Sequence, residues 1–519
     1  MLLLTNALLK GKEELQGILI ENEKIIEIAD TNNLLKKYPN VKRYDVNGRR
    51  VLPGLNDSHL HLIGYSRLKR NVRLENARSI DEVIELGRKY LESDPEIIIG
   101  NLYNDNNFKE KRLLLKEDLD LISKEIPIIF YRVCGHICTI NSKAIELLNL
   151  DTNIKVEGGS LDSKNGELTG VVRENAMDVL NPLYNKEFSV EDYKDFILDG
   201  IKDANMVGLT SLQPNDISGS LKSGMKVYQA YKELAEEGKL NARIYHQITF
   251  DNVEDLDSFL NFVDYENDYL KIGPLKLFID GSLGARTAAL YDNYINDIQN
   301  GIICLTKENL NEFVSYMENR NGQIIIHAIG DRGIDIVLNE FERVNKGKNE
   351  NRNGIVHVQI TSKEILNRFN ELKICALVQP IFINTDMFMV YDRVSEELAN
   401  TSYAFKTLND ATFTSFSSDA PVESFNPFLG IYHAVTRKDL SGKNTYISTE
   451  AVDLDTAINA YTVNGAYMSF EEDIKGKVEV GYLADLIVLD DDIYNIDLND
   501  IKGLSVSATI IGGRIVYEK

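Results

Sequence analysis

Apolar and polar positions along the chain follow two rhythms, and the changes between them divide the molecule. Up to about residue 52 the apolar runs are short and strand-like, as in Gly17–Glu21 and Lys24–Ile28, with a turn at Asn47-Gly48. The stretch from Gly481 to Lys519 has the same texture: Ala484–Leu489, Ser507–Ile511, a turn at Gly512-Gly513, and Arg514–Tyr517. Two strand-rich ends around a long middle predict one small β-sandwich domain built from both termini, residues 1–52 and 471–519. Between them, residues 53–470 alternate β-rich and helical runs, the pattern of parallel βα units. The strands expected are Arg49–Pro53 leading to His59, Gly208–Gln213, Arg243–Thr249, Leu275–Asp280, Gln323–His327, Gly354–His357, Ile374–Gln379 and Thr412–Asp419. Eight such units predict an α/β fold, a (β/α)8 TIM barrel, whose catalytic groups sit at the C-terminal ends of the strands.

The spacing has one irregularity. More than a hundred residues separate the first strand from Gly208, far beyond what one crossover needs. They hold strands of their own, Glu96–Gly100 and Pro127–Tyr131, and a helical pattern from Glu82 to Leu91. Residues from about 70 to 200 are therefore expected to form a cap inserted over the barrel mouth.

Bulk composition changes this picture little. With 519 residues, 43% hydrophobic and 26% charged, the chain suits a large barrel plus a smaller domain. The 80 acidic residues outnumber 57 basic ones, giving a net charge of −23 that disfavours nucleic acid and anionic membrane as partners. No signal-peptide pattern and no run near ~18 apolar residues is evident, so a cytoplasmic protein with a small-molecule substrate is expected. Cys134, Cys138, Cys304 and Cys375 then read as free thiols. A homodimer is the expected assembly.

Candidate chemistry starts at Pro53-Gly-Leu-Asn-Asp-Ser-His59-Leu-His61. Residues two apart on a strand share a face, so both imidazoles can reach one metal ion. His327, His357 and Asp419 echo the pair, each at the end of a later expected strand. Together the histidines account for four of the seven in the chain, and packing explains such convergence poorly. Lys276, among apolar neighbours on the strand between these groups, is the bridge expected for two cations once CO₂ carboxylates it, with Asp280 the competing bridge and an outward-facing lysine the bland alternative.

These residues, in this order, resemble the binuclear amidohydrolase superfamily, and more closely its family 3 branch, which includes N-substituted formamide deformylases. The strings that carry the resemblance are Leu52–His61, Gly135-His136 with Asn141–Ala144, Lys276–Ala288, His327–Arg332, Gln379-Pro380, Ser418–Val422 and Gly481–Val488. The resemblance implies that His59 and His61 hold one metal, His327 and His357 a second, and carboxylated Lys276 bridges them. It also implies that Asp419 is both ligand and proton acceptor from the attacking water. Two divalent ions, zinc by ligand type, are the cofactors expected. One departure is Val356, where the family usually has an acidic residue before the histidine.

His136 is expected to close over the substrate, with a small metal site of Cys134, His136 and Cys138 as its rival. Arg286 and Asp331 are expected to contact substrate or orient ligands, with rim salt bridges as the alternative, and Gln379 to face the pocket. His246 and His433 read as structural. The activity expected is hydrolysis of a non-peptide C–N bond, an amide or an N-acyl or N-formyl group. Alternatives are a deaminase or a lactone or ester hydrolase on the same site, and a metal-free scaffold.

Overall fold

The computed structural model describes residues 1–519 except 93–94, 134–135, 157, 185–186 and 346. Eight parallel strands form one sheet in which each is hydrogen-bonded to the next in chain order: Leu55–Leu60, Leu209–Pro214, Arg243–Ile248, Leu270–Phe278, Ile324–Ala328, Gly354–His357, Cys375–Val378 and Thr414–Phe416. These are the first to eighth barrel strands of an α/β fold of TIM-barrel type. Most are buried along their whole length, as parallel strands covered by helices must be.

The crossover helices show why the chain turns where it does. Leu221–Glu236, Val253–Phe262, Lys307–Glu318 and Lys363–Leu372 each begin after a capping residue: Ser220, Asn252, Thr306 and Ser362. Each cap accepts a hydrogen bond from the backbone N–H three residues on, satisfying a donor the helix leaves unpaired.

Opposite ends of the sheet meet through one buried carboxylate. Asp57, on the first strand, accepts hydrogen bonds from the Ser418 N–H at 3.1 Å and the Ser418 hydroxyl at 2.5 Å, just beyond the eighth strand. The Asp419 N–H then donates to the His59 carbonyl at 2.9 Å.

The first barrel strand starts later than its apolar run suggested. Val51–Pro53 pairs antiparallel with Leu486–Leu489, Leu52 opposite Ile487, in a terminal sheet, and the barrel strand begins at Leu55. Pro53 has no N–H, and a Cβ at Gly54 would lie 2.2 Å from the Thr210 hydroxyl, so the chain changes sheets at this dipeptide.

Two four-stranded sheets flank the barrel sequence. One orders Lys24–Asp30, Gln16–Glu21, Leu2–Ala7 and Lys42–Asp45; the other orders Arg514–Glu518, Val506–Ile511, Leu486–Leu489 and Val51–Pro53. Leu2, Leu4, Ile18 and Ile20 from the first share one buried cluster with Val51, Leu486, Val488 and Ile510 from the second.

Residues 66–189 form a compact unit of their own. Its six-stranded sheet runs Gly159–Lys164, Glu167–Glu174, Ile137–Ile140, Ile128–Arg132, Ile98–Tyr103 and Val72–Arg73. The helix Val190–Met206, which straddles the expected end of the insertion at about residue 200, belongs to the barrel unit. Among the described residues no helix is long and apolar enough to cross a membrane.

Two charge clusters tie the barrel to the C-terminal segment. Arg243, on the third strand and 2% exposed, donates to both oxygens of Asp485 at 2.6 and 3.1 Å. Glu471, 5% exposed, accepts Lys271 at 2.7 Å and also pairs with Lys475. Burial would raise the Glu471 carboxyl, but Lys475 and Lys271 outweigh it and hold it at about 2. Its folded value lies below the unfolded one near 4.5, so its stabilisation is full above that and is lost as pH falls towards about 2. Glu471→Gln is expected to cost roughly 3 kcal/mol at pH 7 and little near pH 2.5, read as the difference in urea-unfolding free energy at the two pH values.

Candidate metal centre

Successive inward positions on the strand ends deliver the site. His59 is the fifth residue of the first strand and His61 follows its end, so the two lie on one face. Lys276 is the seventh residue of the fourth strand, His327 the fourth of the fifth, and His357 the last of the sixth. Asp419 comes three residues after the eighth. His357, Val358 and Asp419 have φ of +83°, +50° and +58°. Left-handed backbone at a non-glycine residue costs about 1–3 kcal/mol and persists where the surroundings over-determine it, as at sites that hold a ligand.

The side chains converge. His59 Nε2 and His61 Nε2 each lie 3.4 Å from Asp419 Oδ1, and ligand atoms of these three residues all fall within 4.8 Å of one another. The His357 ring centroid is 5.8 Å from that of His59 and 4.5 Å from that of His327. Lys276 is fully buried, and its Nζ has no hydrogen-bond partner.

Partners behind the imidazoles decide which nitrogen faces inward. Gln247 Nε2 donates to the Ser58 carbonyl at 2.8 Å, which turns its Oε1 to His59 Nδ1 at 2.6 Å. An amide oxygen only accepts, so Nδ1 carries the proton and Nε2 presents a lone pair. Gln379 repeats the device: its Nε2 donates to the Leu377 carbonyl and the Ser417 hydroxyl, and its Oε1 accepts from His357 Nδ1 at 2.8 Å. His327 is held from its other nitrogen, with Nε2 at 3.1 Å from the Gly281 carbonyl and 3.3 Å from Asp280 Oδ1. Asp280 is anchored by the N–H groups of Ala289, Ile329 and Gly330 at 2.8–3.0 Å. It therefore stands behind His327 and not between the imidazoles, where a competing bridge would be.

Burial sets the charges. It pushes His59 well below the usual imidazole range, helped by Lys276, and His357 down to about 3, helped by His327. Both are neutral lone-pair donors at pH 7. Burial also brings the Lys276 amine down to about 7, against the pull of Asp419. Although burial opposes it, a hydrogen bond from His61 leads the interactions that hold the Asp419 carboxyl far below its ordinary value. The result is a lone pair on His59 facing a carboxylate oxygen at 3.4 Å with no proton between the two. Such a donor set fits a cation.

A model described as the amidohydrolase family matches residues 42–517. The chain belongs to the amidohydrolase family. YtcJ of Bacillus subtilis strain 168 is 31% identical to it over 99% of this chain and 98% of its own length. The N-substituted formamide deformylase of Arthrobacter pascens is 23% identical over 93% and 91%. The crystal structure of a metal-dependent hydrolase from Pyrococcus furiosus, 31% identical, matches with a TM-score of 0.79 over 95% of this chain and 99% of that one. This amidohydrolase is accordingly an enzyme, a hydrolase.

The remaining expected site residues of the amidohydrolase lie apart from the imidazole group or behind it. Gln379 is 2% exposed, with both ends of its amide engaged, so it orients His357 instead of facing a pocket. Arg286 donates to the Ile295 carbonyl at 2.9 Å and lies 3.7 Å from Asp297, within its own loop. Asp331 opens the helix Asp331–Asn345 and accepts the N–H groups of Tyr291 and Arg332. His136 is exposed in the 66–189 unit and pairs with Glu174 at 3.1 Å. Cys134, of the rival site, lies outside the described residues. His246 and His433 are buried, His246 edge-on to Tyr231 and His433 bonded to the Lys438 carbonyl. Val356, the departure from the resembled family's acidic residue, packs with Ile325, Cys375 and Leu377.

Gln247 and Asp57 were missed. Their signal is a polar residue within a buried barrel strand, and for Asp57 the two-residue spacing to His59. Gln247→Leu and Gln379→Leu are each expected to weaken zinc binding about 10–100-fold with unchanged circular dichroism, by competition titration against a chromophoric chelator.

Proposed function

We propose that the chain hydrolyses a non-peptide C–N bond, an amide or an N-acyl or N-formyl group, using two divalent ions, zinc by ligand type. The observation that carries this is the Lys276 amine, fully buried without a hydrogen-bond partner beside His59, His357 and Asp419. An amine brought down to about 7 is about half uncharged at neutral pH, and the uncharged form can add CO₂, losing one proton and becoming an anionic carbamate with two oxygen donors. In this reading His59, His61, His327, His357, Asp419 and the Lys276 carbamate would hold the ions. When bound, such ions supply Lewis acidity, which polarises a carbonyl and lowers the pKa of a water to about 7.

The chain's own residues do the rest. Asp419, an ionised carboxylate, accepts the proton of the attacking water and passes it to the departing nitrogen, without which an amine leaves poorly. Gln247, Gln379 and Asp280 hold the imidazoles in the tautomers that point lone pairs inward. Residues 66–189 serve as the cap in this proposal, and the two terminal sheets as one β-sandwich domain. The relative named as an N-substituted formamide deformylase supports formamides as the first substrates to try.

Chelator treatment of the full chain is expected to abolish formamide hydrolysis, and zinc with bicarbonate to restore it. Asp419→Asn is expected to lower kcat at least about 100-fold in the same assay. Activity that survives complete metal removal, or an unimpaired Asp419→Asn, would remove these assignments.

A further inference from the structure

The strand that carries Lys276 ends two residues later at Phe278, on the same inward face. Leu277 between them points the other way and is buried. Phe278 is 38% exposed although it belongs to a barrel strand. Its ring centre lies 3.8 Å from Lys276 Nζ and 5.5 Å from the ring of His327. Beyond Asp419 stands a second apolar side chain: Val422 is 66% exposed, and its N–H closes a turn on the Asp419 carbonyl at 2.9 Å.

A large ring left in water beside polar groups gains by being covered, because apolar area removed from water is stabilising in proportion to its extent. Phe278 thus stands beside two of the three groups Lys276, His327 and Asp419, where the part of a substrate next to the reacting bond would meet it. A charged substituent would gain nothing from the ring's hydrophobicity and would lose hydration. The carboxylates of Asp386 and Glu423, which follow the seventh and eighth strands in the chain, already accept the Tyr403 and Thr385 hydroxyls, and so do not argue for a cationic group.

We propose that Phe278, with Val422 beside Asp419, forms an apolar wall for the group next to the scissile C–N bond, so that preferred substrates carry an uncharged alkyl or aryl substituent there. The proposal rests on the amide-hydrolase reading and adds the substrate class to it. In the reaction water adds its oxygen to the acyl carbon, the C–N bond breaks, and the nitrogen leaves with the proton as an amine whose apolar substituent stays on the wall until release.

The test is kcat/KM of the zinc-loaded full chain on N-methyl-, N-butyl-, N-hexyl- and N-benzylformamide, with N-(4-aminobutyl)formamide as the charged member. In the wild type the value is expected to climb about tenfold or more from methyl to benzyl, and to fall again for the aminobutyl compound. Phe278→Ala is expected to erase most of that climb while costing much less on the methyl compound, and Phe278→Leu to keep most of it. A ring that matters only for packing around Lys276 would lower all members by one factor. That outcome, a flat wild-type series, or a preference for the aminobutyl compound overturns the wall. If the wild type cleaves none of them, the formamide reading fails separately and the uncleaved amides serve as ligands. Tighter calorimetric binding of the benzyl than the methyl compound, abolished in Phe278→Ala, then upholds the wall, and equal binding overturns it.

Discussion

His59, His61, His357 and Lys276 gather with the Asp419 carboxylate at the C-terminal end of the barrel, His327 packs against His357, and burial disfavours charge on His59, His357 and Lys276. That desolvation is the constraint on which the centre depends. In water His59, His357 and Lys276 would take up protons more readily and repel one another; inside the barrel their charged forms are disfavoured, which leaves the two imidazoles as lone-pair donors and the lysine about half uncharged at neutral pH. The arrangement also needs orientation, because a neutral imidazole binds through only one nitrogen. Two glutamine amides and one anchored carboxylate provide it, each fixed by a backbone or hydroxyl partner of its own.

The same residues help to close the fold. Asp57 grips Ser418 across the seam between the first and eighth strands, and the Asp419 N–H bonds to the His59 carbonyl at that seam. His59 and Asp419 are therefore brought to 3.4 Å by barrel closure itself. The left-handed backbone at His357 and Asp419 is the local cost of bringing side chains from beyond the strand ends over the mouth.

Much of this was legible in the chain. Fully buried parallel strands read as continuous apolar runs ending in polar residues, so the strands ending near His327, His357 and Asp419 stood out. The one strand misplaced, Val51–Pro53, is as apolar as the others; only the proline and the close approach of Gly54 to Thr210 move it to the terminal sheet, and close approach has no sequence signal. Polar residues behind the site were harder. Gln379 looked like a pocket residue because strand-end position does not say which way an amide turns, and Gln247 looked like any strand residue. Asp280 was visible, but its role behind His327 depends on three backbone N–H groups supplied by distant positions.

The most direct test of the account is the number of transition-metal ions per chain, by elemental mass spectrometry, in the wild type and in Lys276→Met purified without chelator. The account predicts about two ions per wild-type chain and about one or fewer in the variant, because under the proposed function the Lys276 carbamate would serve both ions. About one ion per chain in both proteins would contradict it, leaving a mononuclear centre on His59, His61 and Asp419 and a buried lysine with no part in it.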